Sequence, residues 1–185
     1  LLSFFYIYCY YGNIINTPNA YLFSNEGDGI KNYYTYAYHV ANDSTFNHFE
    51  GMNYPYGELI VFTDGHPLFA NIIKGLSNLI PETTNYSIGI LNVILILSGI
   101  LTILLVFIIL RKYKVGFWFS IMGAIAIYAL QPQLSRLAGH LSLSYSFFIP
   151  LIWLILIKFN ENRNSKYLIY ISLLLLILLF THPYL

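Results

Sequence analysis

Charge is what this sequence has least of. Only 9% of its 185 residues are Asp, Glu, Lys or Arg, and 57% are hydrophobic; a soluble domain carries roughly a quarter charged residues. That shortfall excludes an ordinary soluble domain and points to a polytopic membrane protein. A net charge of +1 leaves no bulk basic signal, so nucleic acid is not an expected partner. The single cysteine, Cys9, excludes an internal disulfide and a cysteine-rich metal site. No Walker-type loop, GxSxG elbow, HExxH pair or CxxC pair occurs, so nucleotide-driven pumps and common hydrolases have no motif here. The first 15 residues lack a basic n-region and a small-residue cleavage site, which argues against a signal peptide. The chain opens on Leu1 and closes on "FTHPYL" after an apolar run, so it reads as a piece of a longer protein with further spans.

What is present is apolar runs separated by two contrasting kinds of polar segment. Residues 88–110 hold 23 positions without a charge, and a span needs roughly 20. Residues 1–15, 115–130, 143–157 (interrupted by Pro150) and 167–180 supply four more candidates. The fold class expected is therefore an all-α polytopic membrane protein: a first helix at 1–15, a structured loop at 16–87 with interfacial helices, and four more spans in 88–185. Arg111, Lys112 and Lys114 share one short loop, and Lys158, Arg163 and Lys166 another. Alternating spans put both loops on one side, and the positive-inside bias makes that side cytoplasmic. Segments 16–87 and 131–142 and the end at His182 are then outside. Seven of the eight acidic residues and all five histidines fall on that outer side. The expected location is the plasma membrane, with the large loop facing out.

A loop of 72 residues exceeds ordinary connections several-fold and should hold structure of its own. In "EGDGIKNYYTYAYH", Asp28 is placed to cap a helix over 29–41. Asp28, Asn32, Thr35 and His39 would form one polar stripe, and Ile30, Tyr34, Ala37 and Ala41 the apolar one. "GMNYPYG" is turn-rich, "ELIVFT" extended and "DGHP" a turn. Pro67 opens a second helix over 67–80, with Leu68, Phe69, Ile72, Ile73, Leu76, Leu79 and Ile80 on one face and Asn71, Lys74, Ser77 and Asn78 on the other. Such a helix either lies in the membrane interface or covers the bundle.

Several residues are candidates for chemistry. Asp28 is either a carboxylate at the membrane surface, acting as general base or metal ligand, or a helix cap. Asp64 and His66 in "TDGHP" can share a divalent cation, or simply make a turn. Arg136 and His140 are four apart, and on a helix would share a face with Gln133 and Ser144. They suit the phosphate of a lipid carrier, or snorkel to ordinary lipid. His182 ends a span on the same face.

In order and motif the chain resembles the N-terminal region of membrane glycosyltransferases of the GT-C fold. There a first span leads to a large outward loop with an early acidic residue, then interfacial helices and many spans. "EGDGIKNYYTYAYH" looks like the early acidic motif, and "GMNYPYGELIVFTDGHP" and "RLAGHLSLSYSFFIPL" resemble later segments. The resemblance implies transfer of a sugar from a polyprenyl-phosphate-linked donor to a glycan, lipid or protein acceptor at the outer membrane face. Asp28 matches the loop carboxylate that, depending on subfamily, deprotonates the acceptor or holds a divalent metal, Mg or Mn. Asn32, His39, Arg136, His140 and His182 would bind substrate, and Asp64 and His66 would hold the metal. The loop reads Gly-Asp-Gly and not Asp-x-Asp or Asp-Glu, a departure from the metal-holding pattern. Two other classes remain open: a transporter or flippase of lipid-linked glycans, and a non-catalytic membrane scaffold. A scaffold would let the outer polar residues point apart; an enzyme requires them to converge.

Overall fold

The computed structural model describes residues 2–182; residue 1 and residues 183–185, at the ends of the expected first and last segments, lie outside the described residues. The described chain forms eight α-helices: α1 (Leu2–Asn16), α2 (Gly27–Ala41), α3 (Pro67–Leu79), α4 (Ser87–Lys112), α5 (Phe117–Leu130), α6 (Pro132–Ser135), α7 (Phe148–Asn162) and α8 (Lys166–Thr181). A two-residue antiparallel pair, β1 (His48–Phe49) and β2 (Glu58–Leu59), closes the loop between α2 and α3. Within the stretch expected to be extended, only Glu58 and Leu59 pair, and Ile60–Phe62 is a 3₁₀ turn.

Two helical segments are long and apolar enough to cross a membrane, Pro81–Lys112 and Leu141–Asn162; a third qualifies if Phe117–Leu130 and Pro132–Ala138, bent by 47°, are one span. Five were expected. The shortfall lies in α1 and α8, with 15 and 16 residues. At 1.5 Å per residue these reach only about 22–24 Å against a hydrocarbon core of roughly 30 Å.

Helix α4 is the centre of the bundle. It packs against α1, α5, α7 and the first turns of the polar region. One core gathers Tyr33, Tyr36, Ile73, Leu91, Leu141 and Phe148 where α2 and α3 meet α4 and α7; a second gathers Ile7, Ile103, Ala124 and Tyr128 between α1, α4 and α5. The two ends differ in polarity. At one end Lys112 reaches Glu161 at 2.8 Å, joining the last turns of α4 and α7 and bringing the two basic loops together. The 16–87 region, the 131–144 segment and His182 meet at the other end, through Ser24 to the Ala138 carbonyl (2.8 Å) and His182 to Asp64 (2.9 Å).

In α2 and α3 the burial is inverted at several positions. The polar stripe of α2 faces inward: Asn32, Thr35 and His39 are fully buried, while Ile30 and Tyr34 stay 49% and 46% exposed. In α3, Lys74 is buried alongside Ala70 and Ile73, and Ile72, Leu76, Leu79 and Ile80 are exposed. The two polar faces pack on each other. His39 Nε2 donates to Asn71 Oδ1 (3.0 Å), and Lys74 Nζ donates to the carbonyls of His39 (3.1 Å) and Asp43 (2.6 Å). In water this arrangement would expose apolar area at roughly 25 cal/mol per Å². Beside hydrocarbon the sign reverses, because polar groups must then find partners inside the protein.

Asn92 fixes the polar end to α4. Its Nδ2 donates to the carbonyls of Pro18 and Tyr21, both at 2.7 Å, and its Oδ1 accepts from the Tyr33 hydroxyl. Asn92→Leu should therefore lower stability by on the order of 2 kcal/mol, since the buried partners lose their bonds. A melting temperature in detergent equal to that of the parent would refute this.

Candidate functional site

The Gly-Asp-Gly at the start of α2 has a local cause. Gly27 sits at φ +51°, a left-handed conformation that suits glycine. A side chain at Gly29 would collide with Ser24, whose hydroxyl reaches the Ala138 carbonyl. The two glycines thus turn the chain into α2 and let it approach the 131–144 segment, and Asp28 lies between them. The helix starts two residues earlier than expected, and its N-cap is Glu26, which makes no side-chain cap bond. Asp28 is not the cap. It lies in the first turn, exposed, where the helix dipole favours its charge.

Asp28 Oδ2 lies 3.7 Å from His140 Nε2, across 112 positions of sequence. Asn32 holds this junction from below: its Nδ2 donates to the Asp28 carbonyl (2.7 Å) and its Oδ1 accepts from the Ser142 amide (3.3 Å). Asn32 is thus buried and positions the backbone; it is not an open substrate ligand. One turn along α2, Lys31 Nζ stands 3.5 Å from Asp64 Oδ2. Asp64 Oδ1 accepts from His182 Nε2 at 2.9 Å. Asp28, Lys31, Asp64, His140 and His182 are thus brought to one polar end from four separate segments.

Other expected site residues go elsewhere. His39 is fully buried, its Nδ1 2.5 Å from Asp43 Oδ2 and its Nε2 on Asn71. It belongs to the α2–α3 contact because the polar stripe faces inward. His66 is also fully buried and shares a 2.8 Å hydrogen bond between Nδ1 and the Tyr145 hydroxyl. Burial, and then His182, push its pKa down to about 3, with Asp64 opposing. Asp64 and His66 therefore serve different partners. Among the described residues no three His, Cys, Asp or Glu side chains gather as metal ligands. Arg136 and His140 do not share a helical face. The segment breaks into the short α6, a 3₁₀ turn over Arg136–Ala138, and extended or irregular backbone at Gly139 and His140. Arg136 is exposed on that turn, and among the described residues its side chain makes no hydrogen bond or ion pair.

Sequence reasoning missed Lys31, Ser24 and Tyr145. Lys31 carried a usable signal, since it follows Asp28 by three positions on the same side of a helix. Ser24 and Tyr145 carried none, because their roles arise from contacts 114 and 79 positions away.

The arrangement is that of a helical, membrane-type protein with mixed charge concentrated at one end of its bundle. The chain belongs to the family described as a domain of unknown function (DUF6311), whose model matches residues 1–185. No curated protein and no solved structure matches it.

The Asp64 carboxyl is held below its ordinary value of 3.8, chiefly by the hydrogen bond from His182, with burial opposing and Lys31 adding to the lowering. A depressed carboxylate stabilises the fold above its unfolded pKa and loses that contribution as pH falls through the folded one. The stability gap between the parent and Asp64→Asn should thus be open at pH 6 and close progressively below about 4. Melting curves across pH 3–7 measure it, and a gap that does not vary with pH would contradict the assignment.

Proposed function

We propose that this chain is part of a GT-C-type membrane glycosyltransferase working at the outer membrane face. The observation that carries the reading is Asp28: an exposed carboxylate, not used as a cap, standing 3.7 Å from His140 at the polar end. In this reading Asp28 takes the proton of an acceptor hydroxyl as its oxygen bonds to the anomeric carbon of the donor sugar. The bond from that carbon to the carrier's phosphate oxygen breaks, and the polyprenyl phosphate leaves with the electron pair. The cations at hand for the leaving phosphate are Arg136, Lys31 and His140. A groove of about 350 Å³ opens beside the Asp64–His66 turn; Leu59, Ile60, Val61, Pro67, Leu68 and Phe180 give it an apolar wall that suits an isoprenoid chain, and Asn47 and Asn71 line it as well.

The same reading takes α1 and α8 as further crossings, making five in this segment. Support comes from their packing: α1 lies on α4 and α5, and α8 on α7 and α3. The polar end is then outside, since the basic loops meet at the opposite end.

Of the two uses the resemblance offers for this carboxylate, proton transfer is the better supported. Its one ion-pair neighbour among the described residues is a histidine. Asp28→Asn, expressed at parental level, should reduce sugar transfer from a polyprenyl-phosphate donor by about 10²–10⁴-fold, the usual worth of general-base assistance. Undiminished transfer at normal protein level would remove Asp28 from the mechanism.

A further inference from the structure

Beneath the exposed cluster lies a second polar layer that solvent does not reach. Tyr36 of α2, His66 at the start of α3, and Ser142 and Tyr145 of the segment before α7 are each at most 1% exposed. The rings of Tyr36 and His66 meet edge to face with centroids 6.2 Å apart, and those of His66 and Tyr145 likewise at 5.7 Å. Some of this layer is satisfied within the protein: His66 Nδ1 by Tyr145, and the Ser142 amide by Asn32. Three of its atoms are not. The Tyr36 hydroxyl, His66 Nε2 and the Ser142 hydroxyl have no hydrogen-bond partner among the described residues.

More than nine in ten buried polar groups in folded proteins are bonded, and where the chain offers no partner an ordered water commonly does so. Two unpartnered atoms on neighbouring rings, closed off from solvent, meet that condition. We propose that this seam holds ordered water bonded to the Tyr36 hydroxyl and to His66 Nε2. Water fits the chemistry because it both donates and accepts. A neutral imidazole carries one N–H, so Nε2 is a donor or an acceptor according to the sense of the Nδ1–Tyr145 bond. Water completes the set in either tautomer.

The water has a positioning role. Asp64 and His66 are both left-handed, at φ 61° and 53°, on either side of Gly65. Tying His66 to α2 through water holds that turn, and with it Asp64, against Lys31 and His182. This inference stands on burial and geometry alone and is independent of the glycosyltransferase reading.

Tyr36→Phe tests it, because the ring packing survives and only the hydroxyl goes. If water bridges the seam, the variant loses a bonded hydroxyl and the melting temperature falls by about 2–4 °C. If the hydroxyl is an orphan, deleting it leaves the melting temperature unchanged or raised, which overturns the proposal. Magnetisation transfer from long-lived water to the Tyr36 and His66 side chains, in nanodiscs, gives a second reading. The transfer is expected in the parent and weakened in Tyr36→Phe; its absence in the parent overturns the proposal.

Discussion

The contact between α2 and α3 joins a polar seam, His39 on Asn71 and Lys74 on the His39 carbonyl, to an apolar one of Tyr36, Val40, Ala70 and Ile73, and the polar end is organised around it. Asn32, Thr35 and His39 look inward from one helix, and Asn71 and Lys74 from the other. An amphipathic helix in water does the reverse. Burying Lys74 is tolerable only because two carbonyls accept its hydrogen bonds and Asp43 and Glu50 lie near; burial still lowers its pKa, with those two acids opposing. Such a charge-bearing interior is weakly stabilising at best. The outward faces present Ile30, Tyr34, Ile72, Leu76 and Leu79. The neighbouring α4 presents Val93, Leu97, Leu101, Leu104 and Ile108 in the same way, so the exposed apolar surface continues from span to loop.

That inversion also explains how the candidate site is presented. With its polar stripe turned inward, α2 can bond through Asn32 to the Ser142 amide, which brings His140 alongside Asp28. The same orientation leaves Lys31 at the edge of the stripe, where it meets Asp64. Asp64 in turn holds the end of α8 through His182. The mixed-charge cluster is the outer rim of a polar layer whose inner part is the His66–Tyr145 contact. Rim and interior share the turn Thr63–His66, so a change in one is felt in the other.

Much of the fold is legible in the sequence, and the reason is periodicity. The expected helix at 29–41 forms over Gly27–Ala41, that at 67–80 over Pro67–Leu79, and the apolar run at 88–110 within Ser87–Lys112. Proline at the first helical position and a long run without charge are local signals that survive tertiary context. The direction in which α2 and α3 face was not legible, because it is set by contacts between distant positions, Asn32 to the Ser142 amide and His39 to Asn71. The helical spacing of Arg136 and His140 failed for a different reason. The seven residues from Pro132 to Ala138 hold only one α-turn and one 3₁₀-turn, and backbone at Gly139 (φ −162°) leaves the helical region. Asp28 and His140 were each legible as candidates, but their proximity was not, since it is made by Ser24 and Asn32 reaching across more than a hundred positions.

Of the two readings of Asp28 that the sequence left open, the geometry of one turn removes the cap. A capping aspartate has its carboxylate bent back on the amides of its own helix, and its charge is consumed there. Here Glu26 occupies the cap position without a side-chain bond, leaving first-turn amides without side-chain partners. Asp28 stands one residue inside the helix and faces another segment. A protein needing only a stable start to α2 would gain from a carboxylate at residue 26 or 27 that closed on those amides. Residue 26 is a glutamate that does not close, and residue 27 is a glycine. The local sequence thus forgoes a cap worth about 1 kcal/mol while keeping an exposed carboxylate beside a histidine, in the first turn where the helix dipole favours its charge.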